Sequence, residues 1–342
     1  MILGDLGADV IKIERPGAGD ESRTWGPPFD ARGESAYFLS CNRNKLSLAA
    51  NLDDEADQAL VRSLIERADV VLENFRPGTL AARGIDAERL LAAQPRLVWC
   101  TITGFGPEST RPGYDYVVQA ESGWMSITGA VDGEPMKVGV ALADVITGKD
   151  AAIAILAVLA GGRRGSAADR HLFVSLFHSA TGALINVAQN ALVSGREAVR
   201  WGNAHPNLVP YELFAAADRP FVVAVGSDAQ FAALVRALEL TSLADARFAT
   251  NRGRLAHRED VVGAIRARVA ARPAAEWMGA LGKAGVPCGI VRTVLEALAD
   301  VGASPLSGVA PLPPGTVRRP PPTLDQHGAL IREQGWDAVA RV

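Results

Sequence analysis

Leu3-Gly4-Asp5-Leu6-Gly7-Ala8-Asp9-Val10-Ile11-Lys12-Ile13 reads as the end of a helix, stopped at Gly7, followed at once by a β-branched strand over Val10–Ile13. A helix feeding a strand is the second half of a βαβ unit, whose own first strand is expected upstream. Outward from this stretch the same alternation continues. Strands are expected at Leu46–Leu48, Val70–Leu72, Leu97–Ile102 and Leu172–Leu176, and helices near Asp54–Arg67, Ala151–Leu159 and Ser179–Ala191. A second run goes from strand Phe221–Val225 through helices near Ala229–Leu238, Glu259–Val269 and Ala274–Ala284 to strand Gly289–Val291. The reading is α/β, with a large domain over 1–214 and 298–342 and a small domain over 215–297; a Pro-rich stretch, Pro305–Pro322, returns to the first.

The 342 residues, 48% hydrophobic and 21% charged, suit a globular protein of about two domains. The longest apolar run, Ala151–Ala160, is half a membrane span, and no leader is evident at Met1, so a cytoplasmic, membrane-free protein is expected. Cys41, Cys100 and Cys288 lie far apart with no ligand spacing, which supports neither a disulfide framework nor a metal site. A net charge of −3 gives no reason to expect a nucleic-acid partner. Lys12, Lys45, Lys137, Lys149 and Lys283 are the only lysines among 35 basic residues, so an arginine needs a local reason before it counts.

Asp144 ends the apolar run Val138–Ala143 and begins a helical pattern. Spacing leaves two compatible readings: an N-cap, or a nucleophile whose charge is supported by helix-end N–H groups and the macrodipole. Gly104-Phe105-Gly106-Pro107 and Asn74-Phe75-Arg76-Pro77-Gly78 follow strands, where open α/β sheets bind ligands, but both also read as plain turns. Among the five histidines only His205 stands out, in the polar turn Trp201-Gly202-Asn203-Ala204-His205-Pro206.

These motifs, taken in order, resemble the class III (CaiB/BaiF type) CoA-transferases. The stretches that carry the likeness are Leu6–Pro16, Asn42–Ser47, Ala68–Gly78, Gly113-Tyr114-Asp115 with Ser122-Gly123, and Lys137–Asp144. Arg23–Phe29 and Arg200–Phe214 are most similar to the succinate-hydroxymethylglutarate branch, which acts on dicarboxylates such as glutarate. The resemblance implies a Rossmann-like large domain, a smaller α/β domain and an interlocked homodimer. It implies CoA thioesters as substrates, with no permanently bound cofactor, and covalent catalysis through Asp144. Succinyl-CoA is the expected donor. Mesaconate, malate or oxalate as acceptor, a 2-methylacyl-CoA racemase, and a truncated non-catalytic CoA-binding paralogue are the alternatives. Racemases carry a histidine at the position of Tyr114.

By position, the resemblance assigns Arg15 to the adenosine phosphates, Asn51, Leu52 and Asp53 to the adenine, Asn74, Phe75 and Arg76 to the nucleotide, and Tyr114 to the pantetheine arm. Arg111, or less directly Arg318 or Arg319, would bind the distal carboxylate of a dicarboxylate, and Asn203 and His205 the reacting substrate. The sequence departs from the family in four places, the first being that it starts after the further strand, the loop ending in Ala-Gly-Pro and the helix start with which relatives begin, so the large domain lacks the usual first strand. Ala82 stands where relatives often have a phosphate-binding arginine, one place before Arg83. Pro-rich sequence replaces the usual hairpin after Asp300, and Asp325 replaces a usual glycine.

Overall fold

The computed structural model describes the whole chain, Met1–Val342. It is a mixed α/β protein of two compact units. The first comprises residues 1–124, 137–190 and 298–342, and the second residues 125–136 and 191–297. The second unit thus contains the 215–297 segment together with residues 125–136 and 191–214.

In the first unit, β1 (Ile11–Glu14) pairs in parallel with β2 (Leu46–Ala49), Ile11 opposite Leu46. A separate parallel sheet joins β3 (Val70–Glu73), β4 (Val98–Thr103) and β5 (His171–Ser175) in that order, with Glu73 opposite Thr101. The strands lie within a residue or so of the expected positions. Helix α1 (Ala36–Cys41) starts at Ser35, whose hydroxyl accepts from Phe38 N–H, and α2 (Glu55–Arg67) starts at Asp54, whose carboxylate accepts from Asp57 N–H. One core gathers Leu46, Leu48, Val61, Leu64, Trp99 and the tail residue Ile331.

The apolar run at 151–160 belongs to a longer helix than expected, a 19-residue one over Leu142–Ala160. Cys100, Ala151 and Ile155 pack it on the sheet, but the expectation of a buried helix holds for one face only, because Ile153 is 65% exposed. The helix expected over Ser179–Ala191 is two helices, Leu176–Gly182 and Ile185–Ser194, broken where Ile185 adopts φ +41°. The Pro-rich tail keeps a short antiparallel hairpin, Ala303–Ser304 against Gly308–Val309, where its absence was expected. No helix is long and apolar enough to cross a membrane.

Buried charge ties the first unit together. Glu14 accepts from Arg23 Nε and Nη2 at 2.8 Å each and from Ser47 Oγ at 2.7 Å, and Arg23 Nη1 also meets Glu34 at 2.7 Å. Burial alone would push the Glu14 carboxyl up, but the bonds from Arg23 and Ser47 outweigh it and hold the acid below its usual range. Asp325 adopts φ +57°, the conformation that favours glycine, and its carboxylate accepts from Ala49 N–H at 2.7 Å at the end of β2.

The second unit is an antiparallel sheet, β6 (Tyr211–Ala215), β7 (Pro220–Ala224) and β8 (Cys288–Ile290). Phe214, Phe221, Phe231, Ile265, Trp277 and Leu281 fill its core against three helices, Asp228–Ala237, Arg258–Val269 and Ala274–Lys283. Strand β6 is absent from the sequence reading. Arg200 donates to the carbonyls of Ala130 and Gly133, which joins residues 125–136 to this unit.

One contact fixes the loop after β4. A Cβ on Gly104 would lie 2.5 Å from Gly113 Cα, and one on Gly113 would lie 2.2 Å from Gly104 Cα. Gly104→Ala or Gly113→Ala must therefore move backbone. Each is expected to destabilise the protein by about 3 kcal/mol or more, and urea unfolding of the two variants checks this.

Candidate active site

The Gly104–Gly113 contact delivers Tyr114 and Asp115 to the start of α3 (Asp115–Glu121). Asp115 then reaches across to a second helix start. Its Oδ1 accepts from Ala143 N–H at 2.8 Å and from Asp144 N–H at 3.4 Å, in the first turn of α4 (Leu142–Ala160). Gln119, fully buried, locks the arrangement: its Nε2 donates to Asp115 Oδ2 at 2.6 Å, and its Oε1 accepts from Val138 N–H at 2.8 Å.

Asp144 is therefore the third residue of α4 and not its cap; the carboxylate capping α4 is Asp115. The helix-end N–H groups expected to keep Asp144 ionised are engaged by another acid. Asp144 itself is solvent-exposed but crowded by protein, and desolvation first, the Asp115 charge second, push its carboxyl up to about 6. The two carboxylates lie together at the starts of two helices.

Tyr37, on α1, faces the same pair. Burial first, then the charges of Asp144, Cys41 and Asp115, raise its phenol above the ordinary value. Its ring meets Trp25 edge-on, centroids 5.0 Å apart, and both rings are partly exposed. Sequence reasoning used Trp25 only as a subfamily mark and passed over Tyr37. No local motif singles out Tyr37, because its neighbourhood is made by chain segments more than seventy residues apart.

The residues assigned to CoA follow three strand ends. Arg15 is exposed directly after β1. Asn51, Leu52 and Asp53 follow β2, with Asn51 Oδ1 accepting from Asp53 N–H at 3.1 Å and Leu52 packed on the core. Asn74, Phe75 and Arg76, all exposed, follow β3. Glu73 shapes this last loop: one carboxylate oxygen accepts from Phe75 N–H at 2.7 Å and the other from Thr101 Oγ1 at 2.5 Å. Arg83 is engaged by Asp53, its Nε 2.9 Å from Oδ1.

The arginines assigned to the distal carboxylate already have partners, although Nε and Nη1 of Arg319 are buried without a hydrogen bond. Arg111 pairs with Glu121 and lies 4.0 Å above the Phe105 ring. Arg318 donates to the carbonyls of Gly4 and Ala8, and Arg319 to that of Val339, so both tie the tail to its own unit. Tyr114 is exposed beside Asp115. In the second unit, His205 Nδ1 accepts from Asn207 N–H at 3.0 Å, which places the proton of the neutral ring on Nε2 and makes that atom a free donor. Asn203 is exposed in the same turn.

The profile that defines CoA-transferase family III matches residues 1–327. The chain is 43% identical over 309 residues to a succinate–glutarate CoA-transferase of Agrobacterium fabrum, covering 88% of this chain and 77% of that protein. It is 38% identical over 359 residues to a succinyl-CoA:glutarate CoA-transferase of Mus musculus, covering 98% and 81%. The crystal structure of a CaiB/BaiF family protein from Brucella suis superposes with a TM-score of 0.84 at 40% identity, over 97% of this chain and 93% of that one. The chain belongs to CoA-transferase family III.

A carboxyl raised by burial destabilises the folded state when ionised. The native state binds more protons than the unfolded one between the ordinary aspartate value of 3.8 and about 6, so this contribution to stability falls as pH rises through that window. Asp144→Asn is expected to raise the thermal midpoint at pH 8 and to raise it less at pH 5; thermal unfolding at the two pH values measures the difference.

Proposed function

We propose that the chain moves CoA from succinyl-CoA to a dicarboxylate acceptor, glutarate first, through covalent intermediates on Asp144. The observation that carries this is a single exposed acid, tuned to about 6, at the start of a buried-faced helix in a family III chain. The names of the Agrobacterium and mouse relatives support the donor and acceptor.

In the proposed cycle ionised Asp144 attacks the succinyl thioester carbonyl. The C–S bond breaks, CoA leaves as thiolate, and a succinyl–aspartyl anhydride forms. The thiolate attacks the aspartyl carbonyl of that anhydride, releasing succinate and leaving aspartyl-CoA. Acceptor carboxylate displaces the thiolate to form a new anhydride, and the thiolate takes the acceptor acyl group, restoring Asp144. Arg15, Asn51, Leu52, Asp53, Asn74, Phe75 and Arg76 are proposed to hold the nucleotide at the strand ends, and Tyr114 the pantetheine arm. Asn203 and His205 are proposed to donate to substrate oxygens, with the His205 Nε2–H as the principal donor. Arg111 is proposed for the distal carboxylate; it would have to exchange Glu121 for the substrate.

The large body is proposed to be Rossmann-like, and the working protein an interlocked homodimer. Leu192 and Val193 are each 78% bare. Apolar side chains left this bare support the reading of a partner copy.

Incubation with succinyl-CoA and glutarate, hydroxymethylglutarate, malate, mesaconate or oxalate, followed by mass spectrometry, tests the reading. Glutaryl-CoA is the expected product, and Asp144→Ala is expected to lower turnover at least about 10^4-fold, the scale seen when a covalent nucleophile is lost. No new ester from any acid would overturn it. The donor kcat/KM is expected to rise with pH through about 6 and level off above it, because only ionised Asp144 attacks. Asp115→Asn should move that limb to lower pH by less than the full displacement, since burial is the larger cause. A stopped-flow pH profile decides this.

A further inference from the structure

The turn Trp201–Pro206 is held from one side by a single guanidinium. Arg258, the first residue of α8 (Arg258–Val269, numbered after α5 Leu176–Gly182, α6 Ile185–Ser194 and α7 Asp228–Ala237), donates from Nη2 to the carbonyls of His205 at 2.9 Å and Pro206 at 3.2 Å. The same group lies 5.3 Å from the Trp201 ring centroid, so it touches both ends of the turn.

Its other terminal nitrogen, Nη1, points at Glu212 on β6, 3.7 Å from Oε1. Both of those atoms are shut off from solvent and neither has a hydrogen-bond partner in the protein. A buried cation and anion held just beyond bonding distance attract electrostatically, without the directional bond that would fix them alone. Burial pushes the Glu212 carboxyl up, opposed by Arg258 and Arg266 and reinforced by Glu259.

The neighbouring Arg254 shows what a purely structural arginine looks like in this unit. It is 1% exposed and bonds the carbonyls of Val209, Phe248 and Ala249, with Asp228 as counter-ion. Arg258, by contrast, spends its bonds on the turn that carries Asn203 and His205.

We infer that Arg258, oriented by Glu212, is a positioning residue that sets the Trp201–Pro206 turn for binding the substrate acid. This rests on the proposed role of that turn. Lysine cannot reproduce it, because its single ammonium nitrogen cannot both bond the two carbonyls, as Nη2 does, and face Glu212, as Nη1 does. Glutamine at 212 still presents a carbonyl oxygen to Nη1, so Glu212→Gln should be tolerated better than Glu212→Ala.

The test is two-substrate kinetics on the full-length protein with succinyl-CoA and glutarate, together with thermal midpoints. Arg258→Lys is expected to raise the glutarate KM about tenfold while the succinyl-CoA KM moves less than about threefold, since the CoA moiety anchors the donor independently. Its thermal midpoint should stay close to the parent's, whereas Arg254→Lys should lower the midpoint and leave the KM ratio unchanged. Glu212→Gln should lie nearer the parent in glutarate KM than Glu212→Ala. Parent-like KM values in Arg258→Lys, or losses in both substrates that track a fallen midpoint, would overturn the inference. His205→Ala separates the two levels. If it leaves the glutarate KM unchanged, the role of the turn fails; if it raises that KM and Arg258→Lys does not, the positioning role alone fails.

Discussion

The candidate site depends on two glycines whose backbones touch. With any side chain at Gly104 or Gly113 the loop leaving β4 could not fold back on itself, and Asp115 would not reach the start of α4. The contact is between main-chain atoms, so neighbouring side chains cannot relieve it by changing rotamer. What it secures is a short path: strand end, crossing, helix start, carboxylate, second helix start. Gln119 closes the path by bonding both Asp115 and the extended segment at Val138.

The electrostatics of Asp144 follow from that path. An acid in the first turn of a helix is ordinarily favoured in its charged form by the macrodipole and the unpaired N–H groups. Here the N–H groups of Ala143 and Asp144 bond Asp115, which adds a second negative charge in their place. Desolvation and that charge together outweigh the dipole, so the acid is raised to about 6. Tyr37, raised first by burial and then by charges that include both acids, lies in the same field.

The parallel strands were legible because each is a short apolar-rich run bounded by turn residues, and two of the helices start beside Asp54 and Ser227, where helical periodicity begins. Asp144 stands out in the sequence where an apolar run meets a helical pattern, but the helix starts two residues earlier, at Leu142, so the acid lies inside its first turn. Strand Tyr211–Ala215 was missed because Glu212 interrupts its alternation, and that glutamate is explained only by Arg258, a partner far away in sequence. Arg111 was assigned to substrate from its spacing to Tyr114; Glu121, one helix further on, already pairs with it. Asp115 and Tyr37 could not be read as a pair with Asp144 at all, since nothing in their spacing encodes the Gly104–Gly113 crossing.

A carboxyl near 6 suits a nucleophile that must also leave. In the proposed cycle Asp144 attacks a thioester and is later expelled from the second anhydride when CoA thiolate attacks its acceptor acyl carbonyl. A more basic carboxylate attacks faster, but its rising basicity makes it a poorer leaving group and costs ionised fraction at neutral pH. At about 6 the acid is mostly ionised at pH 7 and stays within reach of the succinate and glutarate carboxylates it exchanges with, so neither side of the anhydride traps the cycle. Were Asp115 a neutral residue that still capped α4, the attack would weaken. Were the amides left to Asp144, their hydrogen bonds would oppose the burial that raises it and would weaken the nucleophile. The second carboxylate thus takes the helix-end hydrogen bonds away from the first and adds its own charge beside it.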